Sequence, residues 1–419
     1  MNDVAAVGTS WQTFGHDDMR TGASTVSALI TNPTLAWVAG SAFGGQGSAV
    51  TGSGMVVAPG NVGAQTHELS NTSGIQLAAF GVTSYASQNA VTLNPVIDGS
   101  GYAYITNNQT TVKKVGLGGM VAWTTLRPDF SDGINDNSSN DNITTDPFVP
   151  NAGGLDYVVF GAASPDSIQG MIYIAGDTDG ALTPQASVLG RPIAISSNAA
   201  GTTLYVRTTI QGDDQHSYIY VFEADETGLT EIRHFQAGGP FIQDGYGAIT
   251  VNPTGNIYYM TWNGILVEAN PSTGNTVATA YVGNQPYSNI NLDSAAGIIY
   301  VSGGGTIHAF DLNNSLAPLW NFSTQGNALF TAPALAISTG GASALYFVTT
   351  TGTLYSVNAQ TGVKNWDVNL QTILGQPAGA KIDSSTIIDS LGNIIYTDLN
   401  YGAVAITNFV GGGNPPLGP

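Results

Sequence analysis

Residues 334–366 read ALAISTGGASALYFVTTTGTLYSVNAQTGVKNW, and this stretch decides the fold. Three short apolar runs are separated by clusters of Gly, Ser, Thr and Asn, and a fourth run carries Trp366. Apolar residues at every second position, bounded by turn-forming residues, are typical of antiparallel strands joined by hairpins. The stretch therefore predicts a four-stranded antiparallel sheet.

The same pattern recurs along the chain. Residues 290–320 and 386–406 align with it, and earlier copies cover residues 95–106, 193–210 and 249–277. Four antiparallel strands in a repeat of ~40–50 residues are typical of a β-propeller blade. The sequence predicts an all-β chain that forms a single propeller of about eight four-stranded blades. Seven blades also fit, because the units around residues 48–90 and 154–183 diverge from the pattern.

The two ends of the repeat region complement each other. Trp37, in the run TLAWVAG, resembles a fourth strand with no blade before it, whereas the last unit has no Trp strand after Ile406. We therefore expect the N-terminal strand to pair with the last blade and close the ring, which removes exposed sheet edges. The propeller is predicted to span residues 1–410, and the Gly- and Pro-rich residues 411–419 a flexible tail.

The repeats resemble those of the quinoprotein-like (PQQ-like) propeller family. Residues 352–358, GTLYSVN, followed by Thr361-Gly362 and Trp366, match the typical Gly-x-Leu-x-Ala-hydrophobic-Asp, Thr-Gly and Trp elements of that repeat. Residues 305–311 with Trp320 match them again. This resemblance covers nearly the whole chain. It implies the fold but no particular activity, because the family includes dehydrogenases, assembly scaffolds and proteins of unknown role.

Composition limits the classes of function. Charged residues make up 9% of the chain, against about 25% in an average protein. The formal charge of −19 and the absence of a basic stripe exclude nucleic acid as a partner. The chain has no Cys, so disulfides and thiolate metal sites are excluded. No apolar run is long enough to span a membrane. A neutral polar surface suits a secreted, periplasmic or cell-surface protein.

The family resemblance also implies an enzymatic alternative. In quinone-dependent dehydrogenases of this family, the PQQ cofactor lies over the propeller axis with a bound Ca²⁺, basic residues that contact its carboxylates, and a general-base Asp. Arg191 and Lys381 directly precede predicted inner strands, so they are the candidate cofactor-binding residues under this alternative. Many members have adjacent cysteines near the cofactor, and this chain has none.

The most polar insertion, residues 129–146, is the candidate metal site. Its oxygen donors Asp129, Asp132, Asn135 and Asp136 are of the type that Ca²⁺ prefers, although their spacing does not match an EF-hand loop. A solvated loop is the alternative. Asn137 and Asn142 begin Asn-x-Ser/Thr triplets in this insertion and are the candidate glycosylation sites.

Four tryptophans share one position of the repeat: Trp37, Trp123, Trp320 and Trp366. They could stack on a cofactor, but a shared repeat position favours packing between neighbouring blades. No catalytic triad, phosphate loop or paired carboxylate site is evident. The sequence therefore favours a non-catalytic extracytoplasmic binding or scaffold protein that uses its propeller faces to contact a protein, a polymer or further copies of itself. A PQQ- or calcium-dependent oxidoreductase is the alternative.

Overall fold

The chain forms eight sheets, which we call blades 1 to 8 in chain order. The structure, a computed structural model, describes residues 17, 19–40, 49–52, 54–59, 65–81, 94–98, 100–106, 111–126, 142–150, 157–163, 168–183, 186–210, 217–225, 228–237, 248–261, 263–283, 290–324, 332–339, 341–375, 384–398 and 402–408. In these residues the only α-helix is α1 (Leu370–Leu374), and no helix is long and apolar enough to cross a membrane.

The first four blades are each four-stranded. Blades 1 and 2 consist of β3 (Val50–Gly52), β4 (Met55–Pro59), β5 (Gln65–Ser70), β6 (Gln76–Gly81), β7 (Val96–Ile97), β8 (Ala103–Thr106), β9 (Thr111–Val115) and β10 (Val121–Leu126), with a 3-10 turn at Leu117–Gly119. Blades 3 and 4 consist of β11 (Asn142–Ile143), β12 (Tyr157–Ala163), β13 (Gln169–Gly176), β14 (Ala186–Leu189), β15 (Arg191–Ser197), β16 (Thr203–Thr209), β17 (Ser217–Asp225) and β18 (Gly228–Gln236).

The last four blades follow the same order from inner to outer strand. Blades 5 and 6 consist of β19 (Thr250–Val251), β20 (Ile257–Met260), β21 (Ile265–Asn270), β22 (Asn275–Tyr281), β23 (Asn291–Asp293), β24 (Ile298–Gly303), β25 (Thr306–Asp311) and β26 (Ala317–Ser323). Blades 7 and 8 consist of β27 (Ala334–Ser338), β28 (Ser343–Val348), β29 (Thr353–Asn358), β30 (Lys364–Asn369), β31 (Ile387–Ile388), β32 (Ile394–Asp398), β33 (Gly402–Asn408) and, from the N-terminal region, β2 (Pro33–Val38).

The eight-bladed architecture confirms the predicted fold class and decides between eight blades and seven. The two divergent units fold as blades 1 and 3. The predicted ring closure is also confirmed: β2 is the outer strand of blade 8 and pairs antiparallel with β33, so that Trp37 lies opposite Ala405. The tail, residues 411–419, lies outside the described residues, and its flexibility stays a prediction.

Apolar layers between neighbouring blades form the core. Between blades 6 and 7, for example, Tyr300, Ile307, Leu345, Phe347 and Val357 are completely buried. Burying a side chain of this size stabilises the fold by about 1.5–3 kcal/mol. The alternating pattern of each strand thus supplies one face to each neighbouring blade.

The repeated tryptophans fasten these junctions. The Trp320 indole nitrogen of blade 6 donates a hydrogen bond to the Ala359 carbonyl of blade 7 at 3.0 Å. Its ring packs on Gly362, where an added Cβ would lie 2.6 Å from the indole and where φ is +70°. Trp37, Trp123 and Trp366 make the equivalent hydrogen bonds to the next blade or to residue 30, at 2.7–2.8 Å. The interpretation that these tryptophans pack between blades is therefore confirmed.

Candidate functional site at the propeller axis

The inner edges of several blades are covered by the chain itself. Residues 19–26, which we call the axial strap, run across blades 5, 6 and 7 in turn. The amides of Val251, Leu292 and Leu335 donate to the carbonyls of Met19, Thr21 and Gly22 at 2.8, 2.7 and 2.9 Å, respectively. The strap then continues as β1 (Ala23–Val26), which pairs in parallel with β27 and makes blade 7 five-stranded. Because the first strand of each blade faces the ring centre, the strap fills part of the axis.

Polar side chains of the inner strands hold the strap. The Thr250 hydroxyl donates to the Arg20 carbonyl at 3.1 Å. The Asn291 amide nitrogen donates to the carbonyls of Gly22 and Pro333 at 2.9 and 2.8 Å. Both side chains are completely buried. Buried backbone carbonyls need such donors, so these two residues stabilise the strap in its place.

A buried cation and a buried carboxylate extend this network to blades 2, 3 and 4. Arg20 is 3% exposed, and its Nε donates to the Ile195 carbonyl of blade 4 at 2.6 Å. Asp146 follows β11 at the inner edge of blade 3 and accepts two hydrogen bonds from Asn94 of blade 2, at 2.7 and 2.9 Å. Burial raises the pKa of Asp146, although the Arg20 charge and the Asn94 hydrogen bonds oppose that shift.

These residues fit a quinone cofactor poorly. A flat anionic cofactor over the axis needs open space and basic groups that face it. Here the strap lies against blades 5 to 7, and the Arg20 guanidinium is buried against a carbonyl of blade 4. In the described residues, the strap therefore occupies the inner edges of blades 5 to 7, and carboxylate, guanidinium and amide groups link it to blades 2, 3 and 4.

The two predicted cofactor ligands have different outcomes. Arg191 is the first residue of β15, the inner strand of blade 4, as expected from the sequence, and it lies opposite Thr209 of β16. Lys381 lies outside the described residues. The structure therefore does not bring the two together, and their binding role stays a prediction.

A second polar cluster joins blades 2 and 3. The Lys114 ammonium lies 2.6 Å from the Asp177 carboxylate and 4.3 Å from the centre of the Tyr102 ring. The Tyr104 hydroxyl contacts the carboxylates of Asp177 and Asp98. Burial, followed by these two carboxylates, raises the pKa of Tyr104 far above its usual range. Tyr104 thus stays protonated as a hydrogen-bond donor, and the cluster braces two blades.

The predicted metal and glycosylation sites fall mostly outside the described residues. Asp129, Asp132, Asn135, Asp136 and Asn137 belong to residues 127–141, so those predictions remain untested. Asn142 begins β11, where its backbone lies opposite Ala163. Within the described ranges, no three His, Asp or Glu side chains come together as a metal site.

Sequence reasoning missed the axial strap and one buried cation, Arg207 of β16. The strap bonds through its backbone, so its residue types carry almost no signal. Arg207 did carry a signal, because it stands at a core position of an otherwise apolar alternation, YVRTT.

Solved structures of the same architecture match nearly the whole chain. The quinohemoprotein alcohol dehydrogenase from Comamonas testosteroni matches over 100% of this chain and 82% of its own, with a TM-score of 0.71 and 12% identity. BamB from Moraxella catarrhalis matches over 91% and 99%, with a TM-score of 0.60 and 14% identity. Sqt1 from Saccharomyces cerevisiae matches over 90% and 98%, with a TM-score of 0.65 and 12% identity.

No family model and no curated protein sequence matches the chain. At such low identities the structural likeness concerns the fold alone, and it confirms a PQQ-like repeat β-propeller. The similar structures include an alcohol dehydrogenase as well as proteins whose names indicate no enzymatic activity, so the fold does not assign a role.

Proposed function

We propose that this chain is a non-catalytic extracytoplasmic binding or scaffold protein, a subunit of a cell surface, filament or other assembly. The observation that carries the proposal is the axial strap. In the quinone-dependent alternative the reaction takes place over the axis, and here residues 19–26 are hydrogen-bonded to the inner strands of three blades. Because the strap occupies part of the axis, we expect binding to take place on the faces and the outer rim of the ring.

The outer rim offers a contact surface of suitable chemistry. The strand β22 is the outer edge of blade 5 and reads NTVATAY, without a charged residue. Val277 and Tyr281 on this strand are 53% and 66% exposed. Long edge strands without charges are prone to pair with another chain, and proteins usually protect them. An uncharged edge suits an assembly of chains that each carry a charge of −19.

The first test is the native mass of the purified full chain, before and after chelation and after denaturation. The proposal predicts the mass of the bare 43.1 kDa chain, that mass with sugar units, or whole-chain multiples. A loss of a few hundred daltons on denaturation, together with absorbance above the aromatic band, would overturn it in favour of the quinone-dependent enzyme. A loss of tens of daltons on chelation alone would add a structural Ca²⁺ to the scaffold.

The second test addresses the contact surface. In the double variant V277K/Y281K, two positive charges on β22 should reduce whole-chain multimers by at least about tenfold, because charged edge residues prevent edge-to-edge pairing. The matched control is I232K on β18, an edge strand that already carries Glu231 and Arg233. If both variants lost multimers equally, or if neither variant lost them, the edge of blade 5 would be excluded as the contact surface.

A further inference from the structure

Arg207 is a buried cation with no counter-charge among the described residues. Its side chain is 2% exposed, and no carboxylate in the described part of the chain forms an ion pair with it. Its Nε lies 3.4 Å from the Ser217 hydroxyl, and its buried Nη1 has no hydrogen-bond partner in the part of the chain that the structure describes. Burial lowers the pKa of Arg207 to about 10, so the group is charged at neutral pH.

Arg207 lies between blades 4 and 5, beside an apolar cluster that includes Ile219 and Tyr259. Its guanidinium carbon is 5.5 Å from the centre of the Tyr259 ring of blade 5. Because side chains alternate along a strand, Thr209 shares the Arg207 face of β16, and its buried hydroxyl also has no hydrogen-bond partner. Arg191 lies opposite Thr209 on β15. Two of the five arginines in the chain thus neighbour each other on one face of blade 4.

An isolated buried charge is too costly to leave uncompensated. Removing an ion from water costs several kcal/mol even after relaxation of the protein. A guanidinium offers a planar set of donors that suits carboxylates and phosphates, and a hydroxyl beside it adds a further donor. We therefore propose that the junction between blades 4 and 5 binds a small oxyanion, held by Arg207 and Thr209 with Arg191 alongside. The site borders the axial strap, whose Met19 packs in the same apolar cluster as Tyr259, and it is independent of the proposed function.

The test measures how anions affect the stability of the full chain. Because the site is buried, each sample is refolded from urea in the chosen anion, and its urea midpoint is then determined. Inorganic phosphate and acetate are compared with sodium chloride at equal ionic strength. A ligand that binds only the native state raises stability with the logarithm of its concentration. Phosphate dependence would indicate a phosphate-type ligand, and acetate dependence a carboxylate.

Three variants locate the effect. R207M should abolish the anion dependence of the midpoint. T209V should weaken the apparent affinity for the anion by about tenfold, since one hydrogen bond to a charged group contributes about that factor to an affinity. R233M is the control, because it removes an exposed arginine of the same blade. It also removes the hydrogen bond to the Thr273 carbonyl of blade 5, so it should lower the midpoint in every salt and leave the anion dependence unchanged. T209V keeps the test informative if R207M fails to refold.

Two results would overturn the proposal. One is a wild-type midpoint that no oxyanion raises above the sodium chloride control, which would mean that internal water alone surrounds Arg207. The other is an anion dependence that survives in both R207M and T209V, which would place the binding elsewhere.

Discussion

The junction between blades 6 and 7 and the junction between blades 4 and 5 have the same backbone design but different hydrogen-bond donors. At the first, Trp320 bonds the Ala359 carbonyl and the buried layer is apolar.

At the second, Arg233 stands at the register position of Trp320 and donates to the Thr273 carbonyl at 2.8 Å. Phe235 packs on Gly274, and Arg207 enters a buried layer that is otherwise largely apolar. The comparison shows that a guanidinium can replace the indole as the donor across a junction.

The repeat geometry also shows what the second junction lacks. The acceptor of the indole hydrogen bond lies three residues before the packed glycine: Ala359 before Gly362, and Asp177 before Gly180. By the same spacing, the equivalent acceptor in blade 5 is the Pro271 carbonyl. The junction between blades 4 and 5 thus has an acceptor position but no indole donor.

The largest expected effect comes from breaking the junction between blades 6 and 7 at Gly362. In G362A the new Cβ would lie 2.6 Å from the Trp320 ring, at a backbone φ of +70°. The positive φ costs roughly 1–2 kcal/mol and overpacking roughly 1–3 kcal/mol, so we expect a loss of about 3 kcal/mol in the free energy of unfolding. Urea unfolding of the variant and the wild type measures it.

The control for Gly362 is G392A in blade 8. Gly392 has φ +82° and open space around its missing Cβ, so only the backbone cost applies. The difference between the two variants isolates the contact with Trp320. Equal losses would show that the indole does not pack on the glycine as described.

The next effect is the removal of the indole donor. W320F keeps an aromatic ring but leaves the Ala359 carbonyl without its hydrogen bond. We expect a loss of about 1–2 kcal/mol, since an unmade hydrogen bond at a partly buried carbonyl costs that much. Urea unfolding measures it, and an unchanged midpoint would mean that water replaces the indole at no cost.

The reverse substitution tests the comparison directly. R233W places an indole at the register position of Trp320, within reach of the Pro271 carbonyl if the repeat geometry holds. The indole hydrogen bond would replace the exposed hydrogen bond of Arg233 to Thr273, so we expect a gain of less than about 1 kcal/mol in the free energy of unfolding. A loss would show that Phe235, which packs on Gly274, excludes the larger ring, and a crystal structure of the variant would then show where the indole lies.

The smallest effect is a dependence on pH confined to blade 6. Burial lowers the pKa of His308, although its hydrogen bond with Asn321 opposes that shift. The unfolded chain therefore binds the proton more readily, so the stability that neutral His308 supports above pH 6.5 is lost as the pH falls below that value. Relative to H308Q, the wild type should lose less than about 1 kcal/mol between pH 7 and 5. If the stability of the wild type and of H308Q changed in parallel with pH, the burial of the His308 ring would be contradicted.

The sequence predicted the features that side chains encode. The blades follow from alternation and turn residues, and the position of Trp37 predicted the closure of the ring. The axial strap was missed because it bonds through backbone amides and carbonyls, which every residue type offers. Arg207 was missed because one polar residue in a strand is ordinarily assigned to the solvent face. Arg207 lies two residues after Tyr205 on β16, so both side chains are on one face of the strand. The cluster around Tyr205 and the packing of Arg207 on Tyr259 show that this face meets blade 5.

Closure of blade 8 by β2 has a consequence for the order of folding. The contact between Thr31 and Asn408 joins residues 377 positions apart, and the strap bonds to β27 over similar separations. Loop-closure entropy makes such pairings slow to form. On a ribosome, β2 must therefore wait unpaired until β33 has been synthesised. We therefore expect the strap and the closing strand to dock late, after the blades that they pair with have formed.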